Sequence, residues 1–298
     1  MKKIHFPTLL KSAACLLLVS ALVPAAIAAP KKVLVVSVTE GFPHSSIPTA
    51  GKVLTELAKK SGAFEVVGIV ATGPKPGPGA AQEAWTEKTK AALAEKMSAE
   101  ALKNYDGIIF ANTTGILPLP DKQAFLDWVK AGHAFIAMHS GSDTFHGPNN
   151  TIDPYIEMLG GEFKAHGAQV GIECLVSDMK HPATKHFGKS FVINVEEVYQ
   201  FKNYDPTKVH ELLTLDKHPN DKTPGHFAVA WCKNYGDGKI FFTSLGHRED
   251  VWDAEWADAK GKRANPPGVS EAYQKHILGG IKWALGLEPG DATPQTKN

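Results

Sequence analysis

Short apolar runs alternate with amphipathic stretches along the first half of the chain. Lys32 to Val38 is a Val/Leu run, and the segment after it, Thr39 to Ser46, is polar and turn-forming. Pro48 opens a stretch with Val53, Leu54, Leu57 and Ala58 on one helical face, closed by Gly62. Phe64 to Ala71 is a second apolar run. A strand, helix, strand opening of this kind predicts a parallel sheet. Beyond a Gly/Pro loop from Gly73 to Gly79, a helical segment and a short helix from Ser98 lead to a strand at Ile108 to Ala111. Pro120 and Asp121 then open a helix through Phe125, Trp128 and Val129, closed by Gly132.

The next apolar run, Ala134 to Met138, stops abruptly at His139-Ser140-Gly141-Ser142-Asp143. A buried strand that ends in small polar residues predicts a sharp turn at the strand's carboxyl end, where ligands bind in open α/β sheets. Ala137 and Gly141 flank His139 at minus two and plus two. A tight strand-to-helix elbow needs small residues at those two places. The competing reading is a histidine that merely ends a strand.

Past the elbow, Pro154 to Leu159 reads as a short helix broken by Gly160-Gly161. Strands then dominate: Val170 to Val176, Phe191 to Val195, Val198 to Phe201, His210 to Leu215, Phe227 to Trp231 and Ile240 to Ser244. Ser270 is expected to cap a last helix through Tyr273, Ile277, Ile281 and Leu285, ended by Gly286, and the polar tail at 289–298 to be disordered. The expected fold class is α/β: a doubly wound, mostly parallel sheet with extra antiparallel strands in the second half.

The amino-terminal segment changes the picture of where the protein works. Lys2 and Lys3 precede an apolar segment, Ala13 to Val23, and Ala26-Ile27-Ala28 forms a small-x-small box. Residues 1–29 therefore read as a secretory signal peptide, too short in its apolar part to span a bilayer, and the protein is expected to be periplasmic or secreted. The formal charge of the 298 residues is +1, with both signs scattered and no basic stripe, which argues against a nucleic-acid partner. No membrane association is expected after cleavage, and homo-oligomerisation is left open. Cys174 and Cys232 sit in apolar runs and read as buried thiols rather than a disulfide.

Candidate chemistry lies in the loops. His44, with Ser45 beside it, His139 and His247 each follow an apolar strand, and a doubly wound fold brings such loops together. His247-Arg248-Glu249 pairs a histidine with an acid able to orient it, and Arg248 could hold sugar hydroxyls or simply pair with Glu249 or Asp250. In Glu196-Glu197-Val198-Tyr199, strand alternation puts Glu197 and Tyr199 on one face and Glu196 on the other, with Glu197 a candidate acid/base or a solvated surface residue. Asp143, His146 and His166 could join His139 in a site for a divalent metal, although their spacing fits no standard metal motif. Ser140 is off-centre for a serine-hydrolase elbow.

These segments carry a resemblance. Gly41-Phe42-x-His44-x-Ser46-Ile47-Pro48, Met138-His139-Ser140-Gly141-x-Asp143, Gly160-Gly161-x-Phe163-x-x-His166, Glu197-x-Tyr199 and Gly238-Lys239-Ile240-Phe241-Phe242-Thr243-Ser244-Leu245-Gly246-His247-Arg248 resemble the ThuA-like, or trehalose-utilisation, family. The resemblance covers nearly all of residues 30–288. It implies a fold like that of the class I glutamine amidotransferases, whose elbow carries Cys and whose later motif is His-x-Glu. His139 in place of the elbow Cys removes the thiolate that glutamine hydrolysis needs. One departure from the family pattern, Gly132-His133 for Gly-Gly, is expected to concern packing only. The resemblance implies carbohydrate catabolism: trehalose or related disaccharides, or their 3-keto glycosides. The expected roles are proton transfer by His139, His247 and Glu197, and substrate binding by His44, Ser45, Asp143, His146, His166, Tyr199 and Arg248. A non-catalytic sugar-binding protein and a metal-dependent hydrolase are the alternatives.

Overall fold

The computed structural model describes residues 1–3, 29–148 and 151–295. The expected leader lies almost wholly outside them. No helix among the described residues is long and apolar enough to cross a membrane.

The first half folds as its pattern predicts. Strand β1 (Lys31–Val36) is followed by helix α1 (Ile47–Ser61), β2 (Phe64–Val70), α2 (Ala80–Met97), α3 (Ala99–Leu102), β3 (Gly107–Ala111), α4 (Lys122–Lys130) and β4 (Ala134–Met138). Gly62 closes α1 in the left-handed conformation, and Asp121 caps α4 by accepting the Ala124 amide. After α5 (Pro154–Leu159) come β5 (Glu162–His166), β6 (Val170–Val176), β7 (Ser190–Glu196), β8 (Tyr199–Lys202), β9 (His210–Lys217), β10 (Pro224–Tyr235), β11 (Gly238–Thr243), α6 (Glu249–Trp252) and α7 (Pro267–Ala284).

One nine-stranded sheet runs β2-β1-β3-β4-β11-β10-β9-β6-β7. Its first five strands are parallel and the rest antiparallel. The parallel part has the 2-1-3-4-5 order of flavodoxin-like sheets, with β11 in fifth place. Alternate residues of each core strand feed opposite layers. Val33, Val35, Ile136 and Met138 pack toward α1 and α7, while Leu34, Val36, Phe135 and Ala137 pack toward α2, α4 and α5. Two-sided burial explains why these strands read as continuous apolar runs. A separate two-stranded sheet, β5 with β8, places His166 opposite Tyr199. His133 stacks on Trp128, so the departure at Gly132-His133 is a packing matter.

Two expectations fail at the carboxyl end. Ser270 is buried inside α7 and donates to the Asp250 carbonyl, while the helix starts at Pro267 after Pro266. The proline's fixed φ serves the start better than the serine. The tail is also ordered as far as it is described: Ala292 is buried, Trp283 donates to the Gly290 carbonyl and the His210 ring is bonded to the Thr293 carbonyl. Cys174 and Cys232 are buried free thiols.

Two buried histidines outside the strand-exit loops set an acid limit on stability. His276 and His181 are held down at about 3 and about 4, in each case chiefly by burial. An unfolded chain protonates both near pH 6.5, so below that pH it binds protons that the folded state refuses. Their stabilisation is complete above about 6.5 and is lost as pH falls, by roughly 1.5 kcal/mol per ring between pH 6.5 and 5. Thermal unfolding followed by circular dichroism is therefore expected to show a Tm more than about 5 °C lower at pH 5 than at pH 6.5. A Tm unchanged over that interval would overturn this expectation.

Candidate functional site

The loops after β1, β4 and β11 meet beyond the carboxyl ends of the parallel strands. The turn after β4 is a 3-10 helix, His139–Asp143, and His139 itself has φ 46°, a left-handed conformation rare for a residue with a Cβ. Gly141 allows this turn: a Cβ there would stand 2.8 Å from the Cβ of Ala137. After β11 the chain turns at Gly246, φ 110°, whose carbonyl accepts from Ser46, Asn112 and Trp252. Asn112 follows β3, so the exits of β1, β3 and β11 are tied to one another.

Three imidazoles and one carboxylate converge there. His139 Nε2 lies 3.2 Å from His44 Nε2 and 3.2 Å from His247 Nδ1. Glu197 Oε1 lies 3.3 Å from His247 Nδ1 and 3.7 Å from His139 Nε2, and its Oε2 lies 3.1 Å from His166 Nδ1. His139 Nδ1 donates to the Ser244 carbonyl at 2.8 Å, which leaves the lone pair on Nε2, and His44 Nδ1 faces Ser140 Oγ at 3.2 Å. One ligating atom from each of His44, His139, Glu197 and His247 lies within 4.8 Å of the others.

Burial sets the charges. Burial first, then the neighbouring His44 and His247, hold His139 well below the ordinary histidine value, and burial with His247 holds His44 at about 4. Burial alone would raise Glu197, but the His247 hydrogen bond and the charges of His247, His166 and His44 outweigh it and keep it low. His247 is the reverse case: burial pulls it down, while the bond and charge of Glu197 carry it above its usual value.

Above the cluster is a cavity of about 220 Å³ lined by Phe42, His44, Asp143, Phe163, His166, Glu197, Tyr199 and His247. His139 is fully buried and closes the floor beneath the other three. A larger cavity, about 510 Å³, lies on the β6, β7 and β9 strands and is lined by Ile172, Val192, Leu215 and lysines, with no histidine. Size favours that one, but the histidines and the buried carboxylate with shifted protonation border the smaller.

The expected residues divide accordingly. His44, His139, Glu197, Tyr199, His166, Asp143 and His247 come together. Ser45 is exposed, and its neighbour Ser46 is the buried one, donating to Gly246 and accepting from Asn112. Arg248 is committed to Asp250 through Nε and Nη2 and to Gln169 through Nη1, so it does not present a free guanidinium to the cavity. The carboxylate beside His247 is Glu197, not Glu249, which begins α6. Glu197 and Tyr199 do share the cavity, although Glu197 lies between β7 and β8 rather than within one strand. Glu196 turns away, accepts the Glu197 and Gly246 amides, and is pushed up to about 7 by burial.

His146 leaves the cluster. It sits between Asp143 and Glu162, 2.6 Å from each, and the bond to Asp143, against burial and with the bond to Glu162, raises it to about 9. The metal grouping expected of Asp143, His146 and His166 with His139 is thus replaced by His44, His139, Glu197 and His247. Phe42, Phe163, Ser244 and Gln169 were not foreseen as site residues. Phe42 shared a segment with His44, Phe163 with His166 and Ser244 with His247, and that proximity was the signal available; Gln169 had none.

The profile of a family described as ThuA, trehalose utilisation, matches residues 32–264. No curated protein matches the chain. Among solved structures, a ThuA-like protein from Bacteroides uniformis is similar at 20% identity and TM-score 0.58, over 88% of this chain and 95% of that one. One from Parabacteroides merdae is similar at 16% identity and TM-score 0.60, over 86% and 90%. At such identities the likeness carries the fold.

Proposed function

The chain belongs to the ThuA, or trehalose-utilisation, family, and from that premise we propose that it is an enzyme acting on a carbohydrate outside the cytoplasm, with the His44, His139, Glu197 and His247 cluster as its reacting centre. The observation that carries this reading is the convergence of those four groups on the floor of one cavity. They supply lone pairs and a negative charge at a single point, suited to a proton or positive charge at a sugar hydroxyl or carbonyl. Above them, Phe42, Phe163 and Tyr199 offer aromatic surface to a sugar ring, and Asp143 and His166 offer hydrogen-bonding groups to its hydroxyls. The cavity is smaller than the roughly 300–1,000 Å³ of pockets that engulf drug-sized ligands. It suits one ring of a disaccharide, with the second outside.

The favoured substrate class is a disaccharide, native or oxidised to the 3-keto form, in which a carbonyl makes the neighbouring C–H acidic and opens elimination of the glycosidic oxygen. Binding without catalysis is the weaker reading, because a site that only holds sugar has no need of three desolvated imidazoles around a carboxylate. The experiment is product analysis after incubating native and 3-keto disaccharides with the wild-type protein and with His139→Ala. Conversion by the wild type and at least about a 100-fold lower rate in the variant is the expected result. Equal conversion by both overturns the reading, as does tight sugar binding with no conversion.

A further inference from the structure

We propose that His44, His139, His247 and Glu197 bind one divalent first-row transition-metal ion, whose open side faces the sugar cavity. The argument is one of distances and lone pairs. His139 Nε2 is 3.2 Å from each of the other two imidazole nitrogens, and Glu197 Oε1 is 3.3 Å from one of them. An ion with metal–nitrogen bonds of about 2.0–2.1 Å sets neighbouring donor atoms roughly 3.0 Å apart at right angles and roughly 3.4 Å apart at the tetrahedral angle. Those three separations match edges of such a polyhedron, and the 3.7 Å from His139 Nε2 to Glu197 Oε1 is a few tenths of an ångström longer.

Hydrogen bonding alone explains the cluster less well. His139 Nδ1–H is taken by the Ser244 carbonyl, so Nε2 has no proton to give and presents a single lone pair to two other ring nitrogens. That arrangement, with the far ring nitrogen fixed by a backbone carbonyl, is the usual second-shell support of a metal-binding histidine. Ser140 Oγ stands in the same relation to His44 Nδ1. Three imidazoles and a carboxylate suit zinc, iron, nickel or manganese, not magnesium or calcium, which take oxygen donors. His139 closes the cluster from beneath, while His44, Glu197 and His247 border the cavity, which leaves the exchangeable positions on the substrate side.

One contact changes on loading. Gln169 donates to His247 Nε2 at 2.9 Å and accepts from Arg248 at 2.8 Å. With Nδ1 on the ion, Nε2 carries the proton, and the exposed Gln169 amide turns to offer its oxygen, while Arg248 keeps both bonds to Asp250. The inference rests on the proposed function for what the ion would do, which is to polarise a sugar carbonyl or hydroxyl, but not for whether it binds.

The test is elemental analysis of untagged protein prepared without chelator, then stripping and titration with Zn²⁺ and Co²⁺. About one equivalent per chain, a higher Tm for the loaded than the stripped protein, and ligand-field absorption in the Co²⁺ form are expected. His139→Ala and His247→Ala should each lower the retained metal by at least about tenfold, whereas His226→Asn, a control on β10 that removes a bond to Glu211 of β9, should keep one equivalent. If His139→Ala does not fold, Glu197→Gln and His247→Ala carry the comparison. Less than about 0.1 equivalent in the wild type, with no Tm shift on adding either ion, overturns the proposal. Sugar turnover by such metal-free protein would leave the carbohydrate reading standing. Metal binding without turnover of any sugar would do the opposite.

Discussion

Glu197→Gln is expected to slow turnover of the sugar substrate by about 10²–10⁴-fold, a loss of roughly 3–5 kcal/mol of transition-state stabilisation. Among the described residues, Glu197 is the one carboxylate in reach of three imidazoles, 3.3 Å from His247, 3.7 Å from His139 and 3.1 Å from His166. The substitution keeps the shape and removes the charge. It also sets an NH₂ group against a ring nitrogen where an acceptor stood. A group needed only for shape would lose little by this change. A group whose charge acts in the reaction loses most in kcat and less in KM. Glu197 lies at the junction of β7 and β8 and its side chain borders the cavity, so the Tm is expected to move by less than about 5 °C. Steady-state kinetics beside thermal unfolding checks both halves. A kcat within threefold of wild type would take Glu197 out of the reaction.

That carboxylate also shows where sequence reasoning stops. Apolar runs buried on both faces made the strands of the parallel half legible, and the small residues around His139 made the elbow legible. Residues close in sequence were less safe guides to partnership. His247 was paired with Glu249 two residues on, whereas in space Glu197 approaches it: the β7–β8 junction is drawn to the end of β11, where the Tyr199 amide donates to Ser244 Oγ, although β10, β9 and β6 separate β7 from β11 within the sheet, and no local pattern encodes that order. Arg248 was expected to bind substrate, with pairing to Glu249 or Asp250 as the alternative, and His146 was expected to bind substrate. Their partners, Asp250 in one case and Asp143 with Glu162 in the other, satisfy them away from the cluster. Ser45 and Ser46 are indistinguishable in composition, and the start of α1 alone decides which is buried. Ser270 looked like a cap because serine favours caps. Tertiary packing used its hydroxyl against Asp250 instead.

Gly141 should tolerate no side chain unless Ala137 gives way. A Cβ at Gly141 would be 2.8 Å from the Ala137 Cβ, with the Phe110 carbonyl at 3.5 Å and the Tyr155 hydroxyl at 3.9 Å. None of these is the loose end of a flexible side chain: Ala137 lies on β4 and is fully buried, and Tyr155 is held by its bond to the Gly141 carbonyl. Gly141→Ala is therefore expected to cost about 1–3 kcal/mol, and Gly141→Val more than about 3, as overpacking of a core that cannot move. The same displacement would tilt the left-handed turn at His139 and open the 3.2 Å contacts with His44 and His247, so activity should fall with stability. Ala137→Gly removes the atom that clashes. The double variant Ala137→Gly/Gly141→Ala should recover most of the stability lost in Gly141→Ala, which makes the two sites strongly non-additive. Denaturant unfolding of the two single variants and the double variant measures the coupling. Additive losses would mean that the elbow does not depend on this close approach, and that the small residues on either side of His139 are there for some other reason.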